Sequence, residues 1–235
     1  MVSICIATYN GEKYIQQQLD SILPFLTEID EILISDDNSN DNTINLINQY
    51  KDNRIKIFYN NFRNSTLNFE FLLNKTNGDI IFLCDQDDIW LPNKIPLFKK
   101  LLISQYDLVL SDCSIVDNNL NVLTKSFFKW NNSQQGFYNN ILRNSYMGCC
   151  IAFNKKVLKN ILPFPTKISK FSVVHDYWIG MIAEKYYKIY YLESITLLHR
   201  KHDNNASNTA LGTSSLTFYK KIKLRFTILF YLLRK

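Results

Sequence analysis

Ile80-Ile81-Phe82-Leu83-Cys84-Asp85-Gln86-Asp87-Asp88-Ile89-Trp90-Leu91-Pro92 decides how the rest of the 235-residue chain is read. An apolar run from Ile80 to Cys84 leads straight into Asp85, Asp87 and Asp88. Gly78 and Pro92 bound the stretch, so it reads as a buried strand of a parallel sheet. In open α/β sheets, ligands bind outside the carboxyl ends of the strands, where these acids fall. Three carboxylates that close repel one another unless a cation joins them. A hard divalent cation, Mg²⁺ or Mn²⁺, suits an all-oxygen set. The alternative is a solvated acidic loop that caps the following helix.

Working back from this strand, the chain alternates. Val2 to Ala7 is strand-like, and Thr8-Tyr9-Asn10-Gly11 is a turn. Lys13 to Leu23 carries Ile15, Leu19, Ile22 and Leu23 at helical spacing, and Pro24 stops it. Glu31 to Ser35 is a second strand, ending in Asp36-Asp37-Asn38-Ser39. A helix over Thr43 to Tyr50, a strand over Arg54 to Tyr59 and a helix over Leu67 to Asn74 lead to Gly78. This β-α-β-α-β-α-β order predicts an α/β fold with a Rossmann-like, mostly parallel central sheet and helices on both faces. No Gly-x-Gly-x-x-Gly follows the first strand, which argues against a dinucleotide cofactor.

Working forward, Asn93 to Ser104 is a helix, and Leu108 to Leu110 a strand ending near Asp112. Lys125 to Gly136 has weak periodicity and reads as a long substrate-facing loop. Gly148 to Asn154 is strand-like, and Lys155 to Leu162 a short helix. His175-Asp176-Tyr177-Trp178 opens a helix to Tyr186. Lys188 to Leu192 and Thr196 to Leu198 are two strands, followed by the polar run from His199 to Asn205.

Bulk composition narrows the classes. At 46% hydrophobic and 20% charged, the chain is an ordinary globular one. Its opening lacks a basic segment and a cleavage site, and its five cysteines are odd in number with no Cys-x-x-Cys. Free buried thiols in the cytoplasm are expected, with no zinc site. Of the 27 basic residues, six lie between Phe218 and Lys235, a segment with no acid; the other 21 balance the 21 acids. A neutral body argues against nucleic-acid binding, and the whole excess of +6 marks one basic C-terminal tail. As a helix the tail would be about 27 Å long. Its apolar run, Phe226 to Leu233 apart from Thr227, is far shorter than the ~20 residues of a spanning helix. It is expected to anchor on a membrane surface or to pack on the domain.

An Asp-x-Asp with a metal, a second acidic strand end and a distant Asp at a helix start suit a nucleotide-sugar transferase. The metal would neutralise the departing diphosphate, the second acidic pair would bind base and ribose, and Asp176 would take the proton of an attacking hydroxyl. A phosphohydrolase of the haloacid dehalogenase type also places Asp-x-Asp after a strand, as Asp85 and Asp87 here. That motif usually opens its chain and continues with Thr or Val where Ile89 stands. A non-catalytic sugar-binding module would share the aromatics without needing Asp176.

The motifs Val2-Ser3-Ile4-Cys5-Ile6-Ala7-Thr8-Tyr9-Asn10, Ser35-Asp36-Asp37-Asn38-Ser39 and Cys84-Asp85-Gln86-Asp87-Asp88-Ile89-Trp90 resemble the successive signatures of family 2 glycosyltransferases with the GT-A fold. Asp-Gln-Asp-Asp-Ile-Trp resembles the subgroup of bacterial rhamnosyltransferase-like enzymes that build capsule and O-antigen. His175-Asp176-Tyr177-Trp178 looks like that subgroup's catalytic-base motif, and Arg200-Lys201-His202-Asp203-Asn204-Asn205 like its closing motif. The resemblance covers residues 1–207. It implies a nucleotide-sugar-binding half over 1–112, an acceptor-binding half over 113–207, and a flexible linker with a basic apolar helix over 208–235. It further implies nucleotide contacts from Ala7, Thr8, Tyr9, Asp36, Asp37, Asn68, Asp85 and Gln86, with Tyr9 and Asp37 on the base. Asp87, Asp85 and His202 would hold Mn²⁺ or Mg²⁺. Asp176 would be the base, and Trp90, His175, Tyr177 and Trp178 would contact acceptor or sugar. The expected partners are a UDP- or dTDP-linked sugar and a saccharide or lipid-linked acceptor at the inner face of the cell membrane. Asn38 replaces a common Gly, which predicts an Asn in the left-handed region.

Overall fold

The computed structural model describes residues 1–165, 175–202 and 218–234. Its first half follows the predicted alternation: β1 (Val2–Thr8), α1 (Ile15–Ile22), β2 (Glu31–Asp36), α2 (Thr43–Asn48), β3 (Ile55–Tyr59), α3 (Ser65–Leu73) and β4 (Ile80–Asp85). These four strands are parallel, in the spatial order β3-β2-β1-β4. β1, β2 and β4 are buried almost throughout, as apolar strands with helices on both faces must be. Register matters most here. Ala7 pairs with Ser35 on one side and Asp85 on the other, and Thr8 pairs with Asp36. The ends of the three quoted motifs therefore stand side by side on one rim of the sheet.

The second half extends the same sheet through β5 (Ile89–Trp90), α4 (Lys94–Ser104), β6 (Leu108–Val116), β7 (Val122–Thr124), α5 (Phe127–Asn131), α6 (Phe137–Leu142), β8 (Ile151–Asn154), α7 (Leu158–Ile161), α8 (His175–Tyr186) and β9 (Ile189–Arg200). Beyond β4 the spatial order continues β8-β6-β9-β5, with β7 on β6. β8 runs antiparallel to both β4 and β6, while β6 and β9 are parallel. The expected boundary after residue 112 falls inside β6, so the two halves share one sheet.

Two expectations are corrected. The predicted strands at Lys188–Leu192 and Thr196–Leu198 are one strand. Leu192 pairs with Ser111 and Ile195 with Asp112, so Glu193 and Ser194 form an exposed bulge between them. The substrate-facing loop expected over 125–136 contains α5, capped by Ser126 and tied down by Asp112, which accepts from Ser126 Oγ at 2.5 Å and from the Phe128 amide at 2.9 Å. Its short helix hides in the sequence because only Phe127 and Asn131 face inward.

All five cysteines are free and buried. Leu162–Pro163 is a cis peptide. The core around α8 is close-packed: a Cβ on Gly180 would lie 2.4 Å from the ring of Tyr146, and that ring is held by a 2.9 Å bond from Tyr146 Oη to Glu184. Ala in place of Gly gains at most about 1 kcal/mol of helix propensity, whereas overpacking a rigid ring costs about 1–3 kcal/mol. Gly180→Ala should therefore lower the denaturation midpoint in urea. An unchanged or raised midpoint would mean that the ring yields freely.

Candidate active site

The rim is tied together by side chains that the sheet register brings close. Gln86 bridges two motifs: its Oε1 accepts from the Tyr9 amide at 3.0 Å, and its Nε2 donates to the Tyr9 carbonyl at 3.1 Å. A Cβ at Gly11 would sit 2.3 Å from Gln86 Oε1, so glycine is what leaves room for this bridge. Asp36 accepts from Thr8 Oγ1, the Ser39 amide and Ser39 Oγ. Asp37 accepts the amides of Arg63 and Asn64 at 2.9 and 3.0 Å, which fastens the loop before α3. Asn38 has φ 65°, the left-handed conformation its sequence position predicts. Ala7 is half-buried at the end of β1, and Tyr9 stands 55% exposed.

The acidic stretch is joined to the end of the last strand. β5 pairs antiparallel with β9, Ile89 opposite Leu198 and Trp90 opposite Leu197. That pairing delivers three residues of the polar run onto the carboxylates. His199 Nδ1 lies 2.9 Å from Asp88 Oδ1, and the Arg200 amide donates to the same oxygen at 3.1 Å. Arg200 Nε donates to the Asp87 carbonyl, and its guanidinium reaches the Asn118 carbonyl and Gln17. His202 Nε2 lies 2.8 Å from Asp87 Oδ2. Tyr14 stacks on His202 at 4.6 Å and accepts the Arg200 guanidinium over its ring at 5.0 Å.

Two layers result. Asp88 and His199 form a buried ion pair beneath the rim. Burial opposes both charges, but each supports the other, so Asp88 is held below the usual carboxylate range and His199 is raised to about 10. Asp85, Asp88, Cys149 and His199 bring ligand atoms within 4.8 Å of one another. The hydrogen bond with Cys150 and burial keep the Cys149 thiol protonated, however, and His199 already neutralises Asp88. This inner group reads as the support of the site. Asp87 and His202 form a second pair, 2.8 Å apart, and the charge of Asp87 is felt at Asp85 in the inner group. Burial, then Asp88 and Asp87, push Asp85 well above the carboxylate range, and Asp88 Oδ2 is buried without a hydrogen-bond partner. A divalent cation beside Asp85 would relieve the repulsion that raises its carboxyl, and carboxylates with one imidazole fit Mg²⁺ or Mn²⁺.

Asp176 sits in the first turn of α8. Burial raises its carboxyl to about 7, despite bonds from the amides of Tyr177, at 2.6 Å, and Gly148. It also adds to the rise at Asp85, so the two acids share one electrostatic environment. A crevice of about 570 Å³ opens at the Tyr9–Gln86 bridge, lined by Tyr9, Asn10, Glu12, Lys13, Tyr14, Asn40, Asp41, Gln86 and His202. Its volume lies in the range of small-molecule sites.

Several expected contacts are corrected. Trp90 is 3% exposed and packs on Phe82, with Lys94 over its ring. Trp178 is wholly buried and donates to the Ile161 carbonyl. Tyr177 and His175 are also buried, His175 stacked on Phe69 at 4.1 Å, where burial lowers it to about 3. All four side chains are buried in this structure. Asn68 is buried too, bonded to Ser35 Oγ and the Asn64 carbonyl, and braces the wall behind Asp37. Asp203, Asn204 and Asn205 of the closing motif lie outside the described residues. His199, Asp88 and Cys149 were not expected as a cluster. The signal that unites them is the pairing of a two-residue strand, too short to be read from sequence.

Residues 3–162 match the family model described as glycosyl transferase family 2. The chain is 30% identical over 194 residues to the UDP-Glc:alpha-D-GlcNAc-diphosphoundecaprenol beta-1,3-glucosyltransferase WfgD of Escherichia coli, covering 78% of this chain and 70% of the relative. It is 28% identical over 241 residues to the dTDP-rhamnosyl transferase RfbG of Shigella flexneri, covering 93% and 78%. The structure of S. aureus TarS 1-349 in complex with UDP-GlcNAc superposes with a TM-score of 0.74 at 19% identity, over 97% of this chain. This chain spans 66% of that structure's length.

Proposed function

Because the chain belongs to glycosyl transferase family 2, we propose that it moves a sugar from a UDP- or dTDP-linked donor onto a growing surface polysaccharide or lipid-linked saccharide, by a metal-dependent displacement that inverts the anomeric centre. One observation carries the reading: Asp87 meets His202 at 2.8 Å, and both Asp87 and Asp176, a carboxyl raised to about 7, add to the charge felt at Asp85. The bound ligands and acceptors named for WfgD, RfbG and TarS support the donor and acceptor classes.

In this reading residues 1–112 hold the donor and 113–207 the acceptor. Ala7, Thr8, Tyr9, Asp36 and Asp37 bind the nucleoside, with the exposed Tyr9 ring stacking on the base. Gln86 sets the Tyr9 loop through its two bonds to that backbone. A Mn²⁺ or Mg²⁺ ion held by Asp85, Asp87 and His202 would neutralise the diphosphate as it leaves. Asp176, as carboxylate, accepts the proton of the acceptor hydroxyl while that oxygen bonds to the anomeric carbon. The bond to the diphosphate oxygen breaks on the opposite face, so one base suffices and the configuration inverts. The same reading has the acceptor at the cytoplasmic membrane face, as the lipid-linked acceptor named for WfgD suggests.

The test is a thermal-shift panel of UDP, dTDP, GDP and ADP, and of their sugars, with and without Mn²⁺. Selective binding stabilises by about 2.7 kcal/mol at a hundred times the dissociation constant, enough for a clear rise in Tm. Pyrimidine diphosphates with Mn²⁺ should raise Tm, and purine diphosphates should not. Equal shifts with all four, or none, would overturn the donor assignment.

A further inference from the structure

We propose that the exposed face shared by α6 and the C-terminal helix α9 (Phe218–Arg234) docks on an anionic lipid surface. The sequence left two readings of the tail, an anchor or a packing helix, and the structure divides the helix between them. Leu224, Ile228 and Leu232, four residues apart, are buried against the domain. Arg225 donates to the Leu142 carbonyl and Lys185 to the Leu232 carbonyl, which clasp the helix to α6 and α8. The side chains expected to dip into lipid are therefore only part of the apolar run.

What remains is still a large apolar surface. Phe226, Phe230 and Leu233 are 67%, 43% and 85% exposed, at helical spacing on one face of α9. The Arg225 bond to the Leu142 carbonyl holds the end of α6 against α9, and α6 carries Tyr138 and Leu142, 80% and 72% exposed and four residues apart. Exposed apolar residues gathered on two adjoining helices mark an interaction site.

Charge selects the occupant. The segment from Phe218 to Lys235 has no acid in its sequence; among its described side chains Lys223 and Arg234 are exposed cations, and exposed Arg143 extends the charge onto the end of α6. Arg234 lies over the Phe230 ring at 4.0 Å, an apolar side chain with a cation at its edge. A second copy meeting this face by two-fold symmetry would set two such basic helices against each other. An anionic lipid surface accepts both features, rings into the interface and cations to the headgroups. Among the described residues no helix is long and apolar enough to cross a membrane, so the contact is at the surface. Docking needs no donor, metal or acceptor, so it stands or falls separately from sugar transfer.

The experiment is co-sedimentation of the full chain with vesicles of phosphatidylglycerol and phosphatidylcholine in equal parts, and of phosphatidylcholine alone. Two variants accompany it: Phe226→Gln with Phe230→Gln and Leu233→Gln on α9, and Tyr138→Gln with Leu142→Gln on α6. Circular dichroism checks their folding, and transfer to a soluble saccharide acceptor checks the site. Wild-type chain should bind the anionic vesicles only, with binding lost at high salt. Each variant should bind about tenfold or more weakly with transfer unchanged. Equal binding by variants and wild type, or no binding to anionic vesicles at low salt, overturns the proposal. So does a concentration-dependent dimer that both variants abolish, which would make the face an interface between copies.

Discussion

Asp176→Asn is expected to slow sugar transfer by about two to four orders of magnitude, the usual range for loss of a general base, while donor binding is kept. The asparagine retains an oxygen to accept the Tyr177 and Gly148 amides, so the first turn of α8 should hold. What is lost is the capacity to take a proton. The carboxyl titrates at about 7 because burial penalises its charge more than its amide bonds favour it. As the base acts in its ionised form, kcat/KM of the wild type should rise with pH through about 7 and level off above. The same shift makes a stability statement with a definite sign. A carboxyl raised from 3.8 to about 7 by folding leaves stability intact below the lower value, and erodes it as pH climbs to the upper one. Asp176→Asn removes that loss. Its stability relative to wild type should therefore grow between pH 4 and 7 and stay constant above. A variant equally stabilised or destabilised at pH 5 and pH 8, with a flat wild-type rate profile, would remove Asp176 from the role of base.

Asp87→Ala should abolish turnover, a loss of at least about 10²–10³-fold if the charge of the departing diphosphate is left uncompensated. The fold should survive. Arg200 bonds the Asp87 carbonyl, which the substitution keeps, and Asp88 retains His199 and the Arg200 amide. The specific consequence is loss of the Mn²⁺-dependent part of the UDP thermal shift, with His202 left without its carboxylate at 2.8 Å. Excess EDTA should reduce wild-type transfer in the same way. Full wild-type activity in EDTA, or an Asp87→Ala protein that still responds to Mn²⁺, would contradict the assignment of the metal.

How much of this was legible in the sequence depends on where each signal is written. The strands ending at Thr8, Asp36 and Asp85 are short apolar runs closed by polar turns, so their ends and acids read directly. The parallel order then follows from the alternation with helices. The left-handed Asn38 is likewise a local property. Long-range pairing is not. β5 has two residues, and its register with β9 sets His199 on Asp88, a pairing the motifs did not imply, whereas the resemblance had already put His202 with Asp87. The aromatic residues after Asp176 misled for a different reason. α8 is buried from Tyr177 through Ala183, and a helix apolar on every side gives no periodicity from which to choose a solvent face. The resemblance implied sugar contacts from Tyr177 and Trp178, and spacing gave no sign that both side chains are buried. The C-terminal helix had both a packing face and an exposed face, and spacing alone did not say that Leu224, Ile228 and Leu232 would be the inward set.

The most direct measurement follows the anomeric proton of the product by NMR, with UDP- and dTDP-linked sugars offered alongside a saccharide acceptor and Mn²⁺. The account predicts a new glycosidic signal of configuration opposite to the donor's, formed in step with release of the nucleoside diphosphate and absent with Asp176→Asn. A product of retained configuration, or release of inorganic phosphate without a glycosidic product, would contradict it.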